Sequence, residues 1–568
     1  MRGRKLGLVA LFMVLALVGA ACQQGTPTEP GAEEGEPGGT LVFAAEQYPL
    51  CLNFITSCYT ASWMHYITTL EVLPQLLIYD EENNYAPGIV TEIPTLDNGG
   101  VTESPFTITY EIEEAAVWED GSPITGNDVK FTLDAIMQSA QSIFSGGPGY
   151  DLITEVRVDS ENPKKFTLVF SEPFAPWRDL FGGGTYVLKA AAFDGNPEVS
   201  DKMQTDLAGI CGNAWCLESF SESEAVLVRN EAYWGEKALL DKIVFRKIAE
   251  QPAEITAFRT GEIQAFYPQP TTELVEQIGA IPGGEMRVKE GTVFEGLGLN
   301  LDKPPLNEKP VREALLLGLN RQEAIDVIVK PVQEDATVNH CSFSTPGVAG
   351  GKWCPEVMPT EPDVEAANKL LDDAGWVMGS DGIRAKGGQR LTIPVATTAG
   401  NVGREQFQQI LQAQAKEIGI DLTADNADAT TLFQTRLPAR DFTVGMFAQV
   451  ATPNPSVTSS LSSDQIPSEA SPDGQNYYGV NDPSLDELLK ASDSEVDEEA
   501  RVEIFQEINE KLREIVMVVP LYAKPQILVY NSDRLGGNFD FNAGQAGFAH
   551  SLKTWFFKNA ADRGESGS

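Results

Sequence analysis

The chain has 568 residues, of which 82 are acidic and 41 basic, for a formal net charge of −41. A surface this acidic repels the phosphates of nucleic acids and anionic lipid headgroups, so the composition excludes both as ligands. Hydrophobic residues make up 42% of the chain, and this content with the length predicts a large core divided over two or three domains.

The first residues have the pattern of a secretory signal. Basic residues at positions 2, 4 and 5 precede the apolar run 6–18, and small residues at 19–21 precede Cys22. This signal (1–21) resembles that of a bacterial lipoprotein, in which Cys22 is lipidated. The alternative is an ordinary signal cut after Ala21. Residues 22–37, rich in Pro, Gly and Glu, are predicted to be a flexible tether, and no later run could span a bilayer.

Six of the seven cysteines fall into close couples, which is typical of disulfides in an oxidising compartment. Each disulfide closes a short loop, worth about 2–3 kcal/mol. The three histidines are widely separated and only His340 adjoins a cysteine, so no metal or other cofactor is predicted. The predicted disulfides are Cys51–Cys58, Cys211–Cys216 and Cys341–Cys354.

Apolar periodicity predicts a mixed α/β protein. In the first half, Thr40–Ala45 is a short buried strand, and Phe106–Ile112 alternates with the period of a strand that has one wet face. Thr125 and Asp128 form a capping box before a helix.

The second half alternates helices and strands. Asp363 is predicted to cap one helix and Ser484, with Glu487, another. This alternation argues for α/β lobes rather than a β-sandwich. The predicted strands are 391–395, 420–423, 442–447 and 516–519, and the predicted helices are 364–374, 405–418 and 498–515.

The sequence offers little for catalysis. It has no Gly-x-Ser-x-Gly elbow, and the glycine-rich stretch 347–352 lacks the spacing of a phosphate-binding loop. Chance carboxylate pairs are plentiful among 82 acidic residues, so they say nothing about glycoside hydrolysis. The pattern favours a binding protein over an enzyme.

Several segments, in chain order, resemble the family-5 extracellular solute-binding proteins, the peptide- and nickel-type receptors of ABC importers. The match starts with the strand Phe106–Ile112 and the turn and helix start at Val117–Phe131, and it continues through Arg229–Gly235 and Thr260–Ile263. It includes Leu299–Leu315, Ala366–Trp376 and Val519–Tyr522. The residues of each segment are more typical of turns, cores and strand ends than of ligand contacts, so the resemblance predicts the architecture better than the pocket.

The resemblance implies a two-lobed periplasmic-binding-protein fold of the large type II class, with an extra subdomain in lobe one. The chain is expected to cross between lobes near residues 298–300 and 520–522, where a hinge absorbs dihedral change. The implied parts are lobe one (38–297, with the subdomain at about 86–198), lobe two (298–521), a return segment to lobe one (522–559) and a disordered tail (560–568).

Peptide-type members of this family fix the amine of their ligand with an aspartate in the loop after the strand 442–447. Asn454 stands at that position here, so the site is predicted not to depend on a cationic amine. The alternative is that Asp441 or Asp464 holds the amine. The predicted ligand-contacting residues are Gln47, Tyr48, Trp63, Tyr66, Phe447, Gln449 and Asn454.

The resemblance thus implies a monomeric, non-enzymatic receptor that is lipid-anchored outside the cytoplasm, in the envelope or periplasm. Its ligand would be a small organic solute such as a peptide, a modified peptide or a glycoside. Its partners would be an ABC permease and the ATPase of that permease. Two alternatives stay open, a secreted hydrolase with an unrecognised carboxylate pair and a receptor of this fold that only senses its ligand.

Overall fold

The computed structural model describes residues 35–145, 149–468, 471, 474–544 and 546–564. The predicted signal, Cys22 and most of the tether lie outside these residues. Of the helices in the described part, none combines the length and the apolar character that a membrane crossing requires.

The described chain contains strands and helices in alternation. The strands are β1 (Thr40–Ala45), β2 (Leu77–Tyr79), β3 (Tyr85–Pro87), β4 (Val101–Glu103), β5 (Phe106–Glu111), β6 (Ile153–Val158), β7 (Lys165–Phe170), β8 (Trp215–Phe220), β9 (Glu224–Arg229), β10 (Lys242–Lys247), β11 (Ala265–Phe266), β12 (Gly284–Leu299), β13 (Val377–Met378), β14 (Arg384–Lys386), β15 (Gln389–Arg390), β16 (Thr392–Ala396), β17 (Asp421–Ala424), β18 (Val444–Val450), β19 (Val518–Asn531), β20 (Leu535–Gly536) and β21 (Phe556–Phe557). The α-helices are α1 (Ser62–Met64), α2 (Leu70–Val72), α3 (Gly126–Gln138), α4 (Gln251–Thr260), α5 (Leu274–Gly279), α6 (Lys309–Gly318), α7 (Arg321–Ile328), α8 (Val364–Asp373), α9 (Val402–Glu417), α10 (Thr458–Leu461), α11 (Pro483–Ser494) and α12 (Glu498–Ile515).

Ten strands form one large sheet in the order β17-β16-β18-β12-β19-β11-β1-β10-β9-β8. At one end β16 runs parallel to β17 and β18, and near the other end β1 runs parallel to β10 and β11. A separate sheet of four strands, β4-β5-β7-β6, lies within the predicted inserted subdomain.

Buried apolar side chains form distinct cores at the two ends of the large sheet. One core combines residues between Leu41 and Tyr267 with residues between Leu528 and Phe557, and we call this part lobe one. Two further cores take their residues from Leu297 to Tyr522, and we call this part lobe two. The particular boundary residues given above stay predictions.

The strands β12 and β19 pair antiparallel along most of their length and run from one lobe into the other. Their pairing is regular at Leu297↔Val519 and Gly298↔Val518, where the sequence predicts a hinge. The register shifts earlier in β12, between Glu290 and Phe294 and between Glu295 and Gly296. A bulge kinks a strand and locally disrupts its ladder. On β12 these irregularities lie a few residues before the predicted crossing, whereas on β19 the second shift lies between Tyr522 and Pro520, within the predicted crossing 520–522.

Most predicted helix starts are confirmed. Thr125 and Asp128 form the capping box of α3, and Asp363 accepts a hydrogen bond from the Ala366 amide at the start of α8. The predicted cap at Ser484 is wrong. Asp482 caps α11 instead, because Pro483 has no amide hydrogen and fits the first helical position.

All three predicted disulfides are formed, with Cα–Cα distances of 5.6, 5.4 and 5.3 Å in chain order. The cysteines beside His340 and beside Glu119 are therefore oxidised and not available as thiolate metal ligands. Within the predicted tail, residues 560–564 form a turn in which Asp562 pairs with Arg534 of lobe one at 2.6 Å.

Candidate ligand cleft

The candidate site lies where the carboxyl ends of parallel strands from the two lobes face each other. In lobe one, β1 leads into Glu46 and β10 ends at Lys247. In lobe two, β16 leads into the loop 397–401, and β17 is followed by the loop that starts at residue 425. Parallel α/β sheets bind ligands at this edge, because the loops that follow the strands converge there.

These loops enclose a cavity of about 420 Å³. Amide, hydroxyl and charged side chains predominate around it, and aromatic rings are few. The lining residues of lobe one are Glu46–Leu50, Thr60–Ser62, Lys247, Ala249–Gln251 and Gln269, and those of lobe two are Thr398–Val402, Arg404, Asp428–Thr430, Phe433, Gln434 and Ala448.

A buried ion pair lies at the floor of this cleft. Arg404, on the first turn of α9, donates to both carboxylate oxygens of Glu295 on β12, with Nη2–Oε1 at 2.7 Å. A further hydrogen bond runs from the Arg404 guanidinium to Thr398 at 3.2 Å. Such a bidentate pair fixes the guanidinium plane, so Arg404 presents a rigid edge to the cavity.

Two carboxyl groups of lobe one lie near this pair. Glu46 accepts a hydrogen bond from the Gln269 amide, and burial raises its pKa. Glu254 on α4 is fully buried, and neither of its carboxyl oxygens has a hydrogen-bond partner among the described residues. Burial, and then the charge of Glu46, raise the pKa of Glu254 well above its usual value.

Lys524 of the crossing strand β19 lies near this ion pair, although it is not among the residues that line the cavity. Burial lowers its pKa, while Glu295 and Glu46 act in the opposite direction. Among the described residues, no carboxylate lies within ion-pairing distance of its ammonium group. Around the ion pair, two basic side chains, Arg404 and Lys524, are thus matched by two acidic ones, Glu295 and Glu46. This near balance of charge at the floor of the cleft suits a ligand whose nearest part is neutral or zwitterionic.

The two lobes touch around the cavity. Gly403 of lobe two lies against Pro270 of lobe one so closely that a Cβ atom added at Gly403 would be 2.5 Å from the Pro270 carbonyl oxygen. A Cβ added at Gly400 would lie 3.2 Å from a carboxylate oxygen of Glu250. The structure therefore has its lobes closed over the cleft.

The ligand-contacting residues predicted from the sequence are divided between the cleft and the lobe cores. Gln47 and Tyr48 line the cavity, and the Tyr48 ring stacks on Phe220 at 5.4 Å. Trp63 and Tyr66 are 3% and 7% exposed and pack against each other within the core of lobe one.

The three predicted residues of lobe two lie along and after β18. Phe447 is buried and makes an edge contact with Phe433, which lines the cavity. Gln449 has a buried amide nitrogen with no partner among the described residues. Asn454 hydrogen-bonds within the protein, to Ala175 and to Arg501. Ligand contact by these residues, as by Trp63 and Tyr66, stays a prediction.

Sequence reasoning missed most of the polar lining. Glu46 directly follows a predicted strand, and Thr398–Asn401 lie two residues beyond another, so the strand-end rule could have found both segments. Gln269 gave no such signal, because its position in the cleft depends on long-range packing.

Residues 86–467 match the family of bacterial extracellular solute-binding proteins, family 5. The chain belongs to this family. It is 28% identical to the nickel-binding periplasmic protein of Escherichia coli (strain K12) over 475 residues, which cover 80% of this chain and 86% of that protein. It is 24% identical to the periplasmic oligopeptide-binding protein OppA of Salmonella typhimurium (strain LT2) over 469 residues, covering 79% and 80%.

Among solved structures, the periplasmic EDTA-binding protein EppA superimposes with a TM-score of 0.80 at 22% identity, covering 94% of this chain and 99% of that protein. The chain therefore has the two-lobed fold of periplasmic binding proteins, and as a member of family 5 it is a solute-binding protein. The family consists of solute-binding proteins, and its members give the hydrolase alternative no support.

Proposed function

We propose that this protein captures a small polar organic solute, such as a peptide, a modified peptide or a glycoside, between its lobes and delivers it to an ABC permease without changing it. The observation that carries the proposal is the cavity of about 420 Å³ that residues of both lobes line. Cavities of roughly 300–1,000 Å³ hold drug-sized ligands, so a solute of that size fits.

The lining supports recognition by many hydrogen bonds. Gln47, Gln251 and Gln269 from lobe one face Asn401 and Gln434 from lobe two. Amides donate and accept, so they suit the peptide groups or hydroxyls of a solute. We propose Gln47 and Tyr48 as ligand contacts and Arg404 as the rigid polar edge against which the solute lies. The near balance of charge at the floor supports a neutral or zwitterionic ligand.

The test is mass spectrometry of the solute that co-purifies with the protein, followed by a thermal-shift measurement with that compound. We expect one compound in equimolar amount, and adding it should raise the melting temperature. At a concentration of 100 times its Kd, it should increase the free energy of unfolding by about 2.7 kcal/mol. Gln47→Ala should weaken binding, and Asn307→Ala, an exposed change on lobe two, should not. Conversion of the compound on incubation would overturn the non-enzymatic proposal.

We further propose that the mature protein is a monomer attached to the cell envelope through lipidated Cys22. The pattern of the first 22 residues supports this anchor. Intact-mass analysis of the membrane fraction should find a lipid-modified N-terminus at Cys22, and Cys22→Ala should release the protein into the soluble fraction. An unmodified N-terminus at Cys22 would show an ordinary signal peptide.

A further inference from the structure

A second contact joins the lobes outside the cleft, and it uses the main chain of one residue. The Ala175 amide of lobe one donates to the Asp493 carbonyl of lobe two at 2.7 Å. The Ala175 carbonyl accepts from Nδ2 of Asn454 at 2.9 Å. Both main-chain polar groups of one buried residue are thus satisfied by the other lobe.

The lobe-one side of this contact is held rigidly. Phe174 and Trp177, which flank Ala175 and Pro176, are 2% and 4% exposed within the core of lobe one. Arg178 also stacks over the Trp177 ring at 4.6 Å. The position of Ala175 is therefore fixed by lobe one before any contact with lobe two is made.

The lobe-two side is built on Arg501, which is 2% exposed. Its guanidinium donates to the carbonyls of Ser492 and Pro455 and to Oδ1 of Asn454. It also lies over the Trp353 ring at 5.2 Å. A guanidinium can only donate, so it fixes the Asn454 oxygen towards itself and turns the Asn454 nitrogen towards Ala175.

None of these groups lines the cleft cavity. Their hydrogen bonds join residues of different lobes, so they exist only while the lobes are closed, whether or not a solute is present. When the lobes part, the Ala175 amide and carbonyl exchange these bonds for water.

We infer that Ala175, Asn454 and Asp493, with Arg501 as support, form a lobe latch that stabilises the closed state and so raises affinity for any solute to the same degree. This assigns a positioning role in closure to Asn454 and to the segment 174–177. It rests on the proposed function only where affinity is concerned, since closure itself is measurable without a solute.

The test is hydrogen exchange of the Ala175 amide in ligand-free protein, with Asn454→Asp as the variant. Aspartate keeps the oxygen that Arg501 requires but replaces the donor to Ala175 with a carboxylate oxygen. We expect Ala175 exchange to quicken about tenfold, equivalent to one ordinary hydrogen bond, and the radius of gyration in solution to rise. Asn307→Asp, the same change at an exposed site on lobe two, should alter neither.

A second variant approaches the contact from lobe one. Ala175→Gln enlarges a residue that is buried at this contact and leaves Arg501 and Asn454 untouched, so it separates opening from misfolding of lobe two. It should give faster exchange in the segment 177–180, and both variants should bind the solute more weakly.

Unchanged exchange in both variants, or a wild-type Ala175 amide that exchanges as fast as an unprotected one, would overturn the latch. A gain of affinity for a peptide with a free amine in Asn454→Asp, with Ala175 exchange unchanged, would instead place Asn454 at the ligand. Failure of the solute-binding proposal leaves these exchange results unaffected, so the two failures can be told apart.

Discussion

Arg404 and Glu295 form a bidentate ion pair in which both side chains are almost fully buried, at 6% and 2% exposed. The pair joins the first turn of α9 to β12, directly beside the irregular pairing of β12 with β19. It therefore ties a cleft-lining helix to the strand that connects the lobes.

Removing one partner of this pair should destabilise the protein strongly. Arg404→Met leaves the Glu295 carboxylate buried without its guanidinium, and we expect a loss of about 3–5 kcal/mol in the free energy of unfolding. The double variant Arg404→Met/Glu295→Met should recover much of this loss. Denaturant unfolding measures both. Lys369→Met, which removes a fully exposed pair, should change the free energy of unfolding very little, and an equally small change for Arg404→Met would contradict the prediction.

Gly403→Ala should hinder closure while leaving each lobe folded. The added Cβ would lie 2.5 Å from the Pro270 carbonyl oxygen of the other lobe, too close for any ordinary contact. We expect the co-purifying solute to be retained at least tenfold less well, whereas the melting temperature of the ligand-free protein should not fall. The control is Gly279→Ala, because a Cβ atom added at this helix glycine would have no atom of the described residues within 4 Å beyond its chain neighbours and the backbone of its own helix. Equal retention by the two variants would show that this contact does not limit closure.

Glu71 should make the protein less stable as the pH rises. It is 5% exposed, and burial raises its pKa to about 8, against the smaller opposing effect of Lys553. Its pKa is higher in the folded state than the usual 4.5, so the stabilising contribution is complete below pH 4.5 and is lost as the pH rises towards 8. In Glu71→Gln this loss should be absent, a difference of about 3–5 kcal/mol between pH 5 and pH 9 in denaturant unfolding. If the free energy of unfolding of Glu71→Gln and that of the wild type changed with pH in parallel, the prediction would be wrong.

His65 should act in the opposite direction. Burial lowers its pKa to about 4, although the Tyr59 carbonyl favours the protonated ring. Its stabilising contribution is present above the usual pKa of 6.5 and is lost as the pH falls towards 4, by about 3 kcal/mol. Thermal unfolding at pH 7 and pH 4 should show a smaller drop for His65→Gln than for the wild type. His340→Gln serves as the control, and an identical drop in all three proteins would contradict the prediction.

The fold was largely predictable because its signals are local. The strand Thr40–Ala45, the helix Glu498–Ile515 and the capping box at Thr125 all follow from apolar spacing and cap chemistry within one element. The predicted cap at Ser484 is wrong because Asp482, followed by Pro483, offers a better helix start two residues earlier.

The cleft was predictable only in part. Gln47 and Tyr48 follow the first strand and so fall at the sheet edge that binds ligands, where the structure places them. Gln269 reaches the cleft through long-range packing, which leaves no periodic trace in the sequence. Asn454 could be assigned to its loop from the sequence. Its hydrogen bonds could not be predicted, because Ala175 is 279 positions away from it and Arg501 is 47 positions away.

The shared strands β12 and β19 also decide how this protein can be divided. A fragment that ends at residue 297 would keep most of β12 but lose all of β19, and it would expose the unpaired amides and carbonyls of β12 as an open sheet edge. Such an edge pairs readily with other chains, so isolated lobes would tend to aggregate. Fusions and insertions are better placed in surface turns such as Gly387-Gly388 between β14 and β15, where no shared strand is interrupted.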